Sequence, residues 1–249
     1  VYKLAADMTA DEVGLPENQT SYITGEFTGM LVGAEGSKAY AIYDLKKPLF
    51  DTLKNATVKD LDLKNTQVDS KENAAAVAKT ANNATISNVA VEGKVSGRKS
   101  VAGLVVDATN TRIENSSFSG KLVANHADNN ANYAGGIVGK LTGGNAKVDK
   151  SKVDAVISTA ARNNNQTAGG IAGKLENGAL VTRSVTTGKI LNGRGYSRIG
   201  GIVGSTYPRG RVDNVVSNMN VGDGYATTGD QFGSADVKNA ITYVDNKKQ

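Results

Sequence analysis

A five-residue phrase recurs along this chain, and it constrains the fold more than any single residue does. Its clearest copies are Gly135-Gly136-Ile137-Val138-Gly139, Gly169-Gly170-Ile171-Ala172-Gly173 and Gly200-Gly201-Ile202-Val203-Gly204. Weaker echoes stand at Ala75-Ala76-Val77-Ala78 and Ala102-Gly103-Leu104-Val105. The apolar anchors Leu49, Val77, Leu104, Ile137, Ile171, Ile202 and Phe232 lie 28, 27, 33, 34, 31 and 30 residues apart. A period of about 30 residues with β-type patterning means stacked coils, each burying its apolar side chains against its neighbours.

Each repeat reads as three extended pieces. A strand opens on a β-branched residue (Val58, Ile86, Ile113, Val148, Val181 or Val212) and continues with near-alternate apolar positions, as in Val58, Leu61 and Leu63. A short piece follows a turn, as in Gly93-Lys94-Val95 and Gly188-Lys189-Ile190-Leu191. The Gly-Gly-Ile-Val-Gly strand closes the unit. Three strands and three turns per repeat describe one coil of an all-β, right-handed parallel β-helix (solenoid). About six to seven coils are expected, rising by about 4.8 Å each to a rod of roughly 30 Å. The β-branched openers should then pile into one interior ladder. The glycines should serve the sharp turns, where positive φ or close backbone approach is needed. Few aromatics (5%), no Trp and abundant Gly (29 residues) fit short strands better than a helical bundle.

Residues 1–48 are less regular and are expected to form an N-terminal cap with a first irregular coil. Tyr2-Lys3-Leu4 and Ile23-Thr24-Gly25-Glu26-Phe27 read as strands, and Ala6 to Val13 as one short helix or a loop. A cap is needed because an open β-helix end exposes unpaired strand edges. Residues 49–233 hold the repeats. Residues 234–249 carry a last strand, Ala240-Ile241-Thr242-Tyr243-Val244, and a polar tail. The chain starts at Val1, with no signal or lipidation pattern, and reads as a piece of a longer polypeptide.

A search for chemistry finds little. The single histidine, His126, sits in a polar insert without ligand partners, and the absence of Cys removes thiolate metal sites and disulfides. No nucleophile elbow is present. Gly-rich loops cradle phosphate when a helix follows them, and here β-branched residues follow instead. The net charge of +5 comes from scattered basic residues interleaved with acids, so nucleic acid is not an expected partner. No apolar run is long enough to cross a membrane as a helix. We therefore assign no catalytic and no metal residues. One pair merits a check: Glu114 and Asp149 each follow the strand opener and should be neighbours about 5 Å apart. Such a pair could act as acid and base or hold a metal, but Lys147, Lys150 and Lys152 are close enough in sequence to neutralise it. Recurrent Asn (Asn55, Asn83, Asn88, Asn115 and Asn214) suggests a stacked ladder whose amides satisfy turn backbone groups.

Three inserts precede Gly-Gly strands, at residues 125–133, 161–167 and 192–198. Stacking must align them on one side of the rod. They present Asn125, His126, Asp128, Tyr133, Arg162, Asn164, Arg194, Tyr196 and Arg198, a ridge suited either to contact with protein or glycan or simply to solvent.

The Gly-Gly-Ile-Val-Gly strands, with Lys47-Pro48-Leu49-Phe50 and then Asn55-Ala56-Thr57-Val58-Lys59-Asp60-Leu61, resemble the non-catalytic β-helix region of Gram-positive surface zinc metalloproteases. These include the streptococcal immunoglobulin-A-cleaving proteases; related GLUG repeats occur in other bacterial surface proteins. The resemblance covers about residues 1–235. It implies an extracellular, cell-wall-attached protein whose downstream catalytic domain binds zinc through a His-Glu-x-x-His motif. No residues here match that motif, so zinc is expected in that domain and no cofactor in this region. The implied partners are that catalytic domain and a host glycoprotein or immunoglobulin. Two other readings stay open at this point: a repeat module of an adhesin, and a β-helical carbohydrate-active enzyme.

Overall fold

The computed structural model describes residues 1–10, 18–36, 38–125, 131–160, 166–192, 197–221, 236–244 and 247–248. The chain winds as a β-solenoid of about six turns. Three sheets run along it among the described residues: a broad 15-stranded sheet, a second of seven strands and a third of four.

One rung illustrates the rest. Ala78–Asn82 lies in the second sheet, and Asn83 turns the chain with φ 51. Thr85–Gly97 then crosses the broad sheet, bending at Asn88 (φ 53) and Gly93 (φ 138). Val101–Ala102 joins the third sheet, and Gly103-Leu104 leads to Val105–Thr109, back in the second. Val105 pairs in parallel with Ala78, one turn below.

The expected interior ladder is present. Val58, Ile86, Ile113, Val148, Val181 and Val212 are register partners on successive rungs, and every one is fully buried. Leu31 and Val237 extend the column at its two ends. The anchors of the repeated phrase form a second column: Ile137 N donates to Ile171 O at 2.9 Å, and Ile171 N to Ile202 O at 2.8 Å. Ile137, Ile171 and Ile202 expose nothing to solvent. Burial of each such side chain is worth about 1.5–3 kcal/mol, and the repetition makes that gain additive along the rod. Phe232 lies outside the described residues.

One expectation needs correction. The repeated phrase is a corner rather than one strand: Asn132–Gly135 ends the third sheet and Val138–Thr142 begins the second. Its glycines serve close approach, one of the two uses expected of them, and none of them takes positive φ. A Cβ on Gly136 would lie 2.2 Å from the carbonyl oxygen of Gly170, and one on Gly135 would lie 1.9 Å from that of Val138. The third glycine has a further task. A Cβ on Gly204 would stand 2.8 Å from the backbone nitrogen of Ala168, so the third sheet lies against the outer face of the second. Ala75, Ala102 and Val106 form a small separate buried cluster in that seam.

The left-handed seats go to other residues. Asp60, Asn88, Asn115, Lys150, Arg183, Asn214 and Asn239 occupy one position on successive rungs, all with φ between 47 and 53. Asn and Asp tolerate this region because their short polar side chains bond locally; Lys and Arg do not share that advantage. Two of the recurrent Asn amides bond to carboxylates rather than to turn backbone: Asn88 Nδ2 donates to Asp60 Oδ1 one rung away at 2.9 Å, and Asn214 Nδ2 to the adjacent Asp213 Oδ2 at 3.0 Å. Hydroxyls satisfy the buried backbone instead, as where Ser184 Oγ accepts from Ser151 N at 3.1 Å and donates to Thr182 O at 2.7 Å.

At the N-terminal end, Tyr2–Lys3 pairs with Leu31–Val32 and Met8–Thr9 with Ile42–Tyr43, both in parallel. Met8–Thr9 is therefore a strand, where a short helix or loop was read; residues 11–13 of that segment lie outside the described residues. Ile23–Phe27 is a strand as expected and pairs with Phe50–Lys54. At the other end Asp236–Val244 adds a parallel rung to Arg211–Asn220.

Candidate functional site

The register places Glu114 directly beside Asp149 on the broad sheet, as their spacing predicts. Cations surround the pair. Lys147 Nζ lies 2.8 Å from Asp149 and 3.7 Å from Glu114. Arg112 Nε donates to Glu114 Oε1 at 3.1 Å, and Arg183 Nε to Asp149 Oδ1 at 2.7 Å, with a second contact from Arg183 Nη2 to Asp149 Oδ2. Arg112 and Arg183, rather than Lys150 and Lys152, thus complete the neutralisation. Burial raises the Asp149 pKa, but the hydrogen bonds from Arg183 and Lys147 outweigh it and bring the carboxyl from 3.8 down to about 2. A carboxylate held this firmly ionised is a poor proton donor at neutral pH, so the cluster is a brace across three rungs.

The same geometry bears on zinc. The chain has one histidine and no cysteine. Among the described residues no three His, Cys, Asp or Glu side chains come together, and its one stacked carboxylate pair is already matched by three cations. These residues do not fit a zinc site. Among the described residues no helix is long and apolar enough to cross a membrane.

The insert ridge is described only at its base. His126, Asp128, Arg162, Asn164, Arg194 and Tyr196 lie outside the described residues. Asn125 is exposed at the end of Ser117–Asn125. Tyr133, Thr167 and Arg198 are register partners on three successive rungs of the third sheet, so stacking does align the bases of the three inserts.

Beside that column the third sheet meets the second at a cleft of about 370 Å³, lined by Ala131, Tyr133, Thr167, Lys174, Arg198, Ser205 and Tyr207. Lys140 Nζ and Lys174 Nζ each stand 5.8 Å from the centre of the Tyr133 ring, within cation–π range. Each lysine also has a carboxylate: Asp107 lies 3.7 Å from Lys140, and Glu176 2.5 Å from Lys174. Burial pushes the Tyr133 phenol pKa up, against the pull of Lys140 and with help from Glu176 and Asp107. Tyr133 is therefore a neutral donor. Burial likewise raises the pKa of Asp107, opposed by Lys140. The Thr167 hydroxyl is buried in the cleft wall with no hydrogen-bond partner, and Tyr207 stands 55% exposed at the rim.

Sequence reasoning named Tyr133 and Arg198 but missed Thr167, Lys174, Ser205 and Tyr207. The period held the signal for two of them. Lys140, Lys174 and Ser205 each lie three residues past an isoleucine anchor and are register partners. What the pattern did not show is that the third sheet folds over that column.

Comparison with known proteins agrees with this architecture. Residues 1–93 match the family described as the M26 IgA1-specific metallo-endopeptidase N-terminal region. The zinc metalloprotease ZmpC of Streptococcus pneumoniae serotype 4 is 70% identical over 248 residues, which is 100% of this chain and 13% of that protein. An immunoglobulin A1 protease of Streptococcus sanguinis is 43% identical over 255 residues, 99% of this chain and 14% of that protein. A solved structure of an IgA1 protease superposes with a TM-score of 0.91 at 37% identity, covering 97% of this chain and 20% of that one. The chain thus spans only about an eighth to a fifth of the relatives it matches. It is similar along its whole length to part of streptococcal zinc metalloproteases and IgA1 proteases, and its residues 1–93 match the model of the M26 N-terminal region.

Proposed function

We propose that this region is the non-catalytic β-solenoid module of a secreted, cell-wall-associated streptococcal zinc metalloendopeptidase. It scaffolds the protease and recognises a host glycoprotein substrate such as an immunoglobulin. Hydrolysis and zinc belong to a catalytic domain elsewhere in the longer protein.

One contrast carries the reading. The carboxylates that could have done chemistry, Glu114 and Asp149, are bound by Arg112, Lys147 and Arg183. Meanwhile Tyr133, Thr167 and Arg198 are lined up beside a cleft on a rigid sheet. Binding residues set on regular elements hold their geometry better than residues on loops. The names of the relatives supply the protease, and the small share of their length covered here leaves room for the catalytic part.

The test compares the full-length protein with a form lacking residues 1–249. Cleavage of intact immunoglobulin A1 should lose roughly tenfold or more in kcat/KM, the loss of one good contact set. Cleavage of a short peptide spanning the scissile bond should stay unchanged. Equal activity of both forms on the intact glycoprotein would remove the recognition role. Hydrolysis by residues 1–249 alone would overturn the non-catalytic reading.

A further inference from the structure

We propose that three successive rungs of the broad sheet form a docking surface for a linear acidic polysaccharide. This goes beyond the recognition role above and does not depend on it.

Charge comes first. The rungs at residues 112–125, 147–160 and 180–192 carry seven cations and three carboxylates, a net charge of +4 where the whole chain has +5. The rungs on either side, Thr85–Gly97 and Arg211–Asn220, are each neutral, with one cation and one carboxylate apiece. Cations scattered in sequence are thus gathered by the register into one bounded patch. Arg112, Lys147 and Arg183 are engaged by Glu114 and Asp149. Lys121, Lys150, Lys152 and Lys189 are exposed and form no ion pair among the described residues, and the third carboxylate, Asp154, is likewise exposed and unpaired.

The backbone supplies an independent observation. Lys150 and Arg183 fill left-handed seats, with φ 48 and 47, that Asp or Asn fills on the other rungs of the column. Both of these cation seats lie inside the patch. Arg183 bonds Asp149 from its seat; Lys150 makes no such bond. A long cation gains nothing locally from this conformation, so the chain holds a strained lysine there with no structural return. A local rule broken in this way marks a functional position.

The surroundings of the cations select the partner. Asn115 and Ser119 stand exposed among them, neutral donors and acceptors of the kind that sugar hydroxyls pair with. Rungs repeat at about 4.8 Å, close to the length of one sugar ring, so cations on neighbouring rungs meet acidic groups along one glycan chain. All six strands of the patch are hydrogen-bonded to a neighbour on both sides, so a peptide has no free edge to pair with there. The one aromatic residue of these rungs, Phe118, is buried, so no ring is offered to a nucleobase.

The test titrates the full-length protein by calorimetry with a heparin octasaccharide, a hyaluronan octasaccharide and neutral maltooctaose. At least one acidic probe should bind roughly tenfold or more tightly than maltooctaose, and should weaken several-fold as salt rises from about 0.05 to 0.3 M. Lys150→Asn with Lys189→Gln should weaken that probe about tenfold, while Tm stays level or rises because Asn suits the left-handed seat. Lys121→Gln with Lys152→Gln, two exposed side chains outside those seats, should weaken it to a like degree. Lys64→Gln with Lys238→Gln removes the same charge from the same sheet outside the patch and should change affinity by less than about twofold. Failure of both acidic probes to bind, unchanged binding in the two patch variants, or an equal loss in the Lys64 and Lys238 control would each overturn the proposal. So would equal or tighter binding of an octaglutamate peptide or of an oligothymidylate of the same length.

Discussion

Replacing Asp149 by Asn probes the brace that ties three rungs of the broad sheet together. The Asp149 side chain is 5% exposed and takes hydrogen bonds from Lys147 and Arg183. Its carboxyl sits at about 2 instead of 3.8. At about 1.36 kcal/mol per unit, that difference corresponds to roughly 2.5 kcal/mol. Solvent screens the pair, since Arg183 is itself 51% exposed, so about 1–2 kcal/mol is the expected net loss at pH 7. The sign follows from proton linkage. The folded pKa is below the unfolded one, so the unfolded chain binds more protons in between. The stabilisation is complete above about pH 4.5 and fades as pH falls towards 2. Urea unfolding of the parent and Asp149→Asn proteins at stepped pH reads this directly. The gap between them should hold steady from pH 7 to about 4.5 and shrink below that. A gap independent of pH, or none at pH 7, would refute the ion-pair account and leave Asp149 as ordinary polar packing.

The remaining predictions concern the backbone. Gly170→Ala sets a Cβ 2.1 Å from the carbonyl oxygen of Gly201 and 2.7 Å from Thr186 Cγ2, so it should cost ~3 kcal/mol in denaturant unfolding. Gly144→Ala meets nothing within 4 Å and should fall within about 0.5 kcal/mol of the parent. Lys150→Asn puts a residue suited to the left-handed region where φ is 48, and should raise stability by about 1 kcal/mol, seen as an increase in Tm.

The interior of this fold was legible in sequence because its rule is purely local. A β-branched residue recurring once per coil has one physical use, and Val58 through Val212 serve it. The exterior was less legible, because its rules act between rungs. Lys150 and Arg183 occupy left-handed seats that their residue types do not advertise. The bond between Arg183 and Asp149 joins residues 34 positions apart, so attention to nearby Lys150 and Lys152 looked in the wrong direction. The double glycines left positive φ and close approach both open, and contacts such as Gly136 with Gly170, which decide between them, depend on a neighbouring coil that must be built first. The cleft was half visible for the same reason. Tyr133 and Arg198 come from inserts that interrupt the repeat, while Lys174 and Ser205 are regular strand positions that matter only where one sheet covers another.

The account stands on parallel rungs stacked in the stated register, and a disulfide trap measures that register most directly. The chain has no native cysteine. Ser119 and Asp154 are exposed register partners on adjacent rungs, and Lys152 lies two residues out of step with Ser119. Under mild oxidation, Ser119→Cys with Asp154→Cys should close a bond nearly completely, while Ser119→Cys with Lys152→Cys should stay largely reduced. Equal trapping of both pairs, or preference for the second, would contradict the stack and every site built upon it.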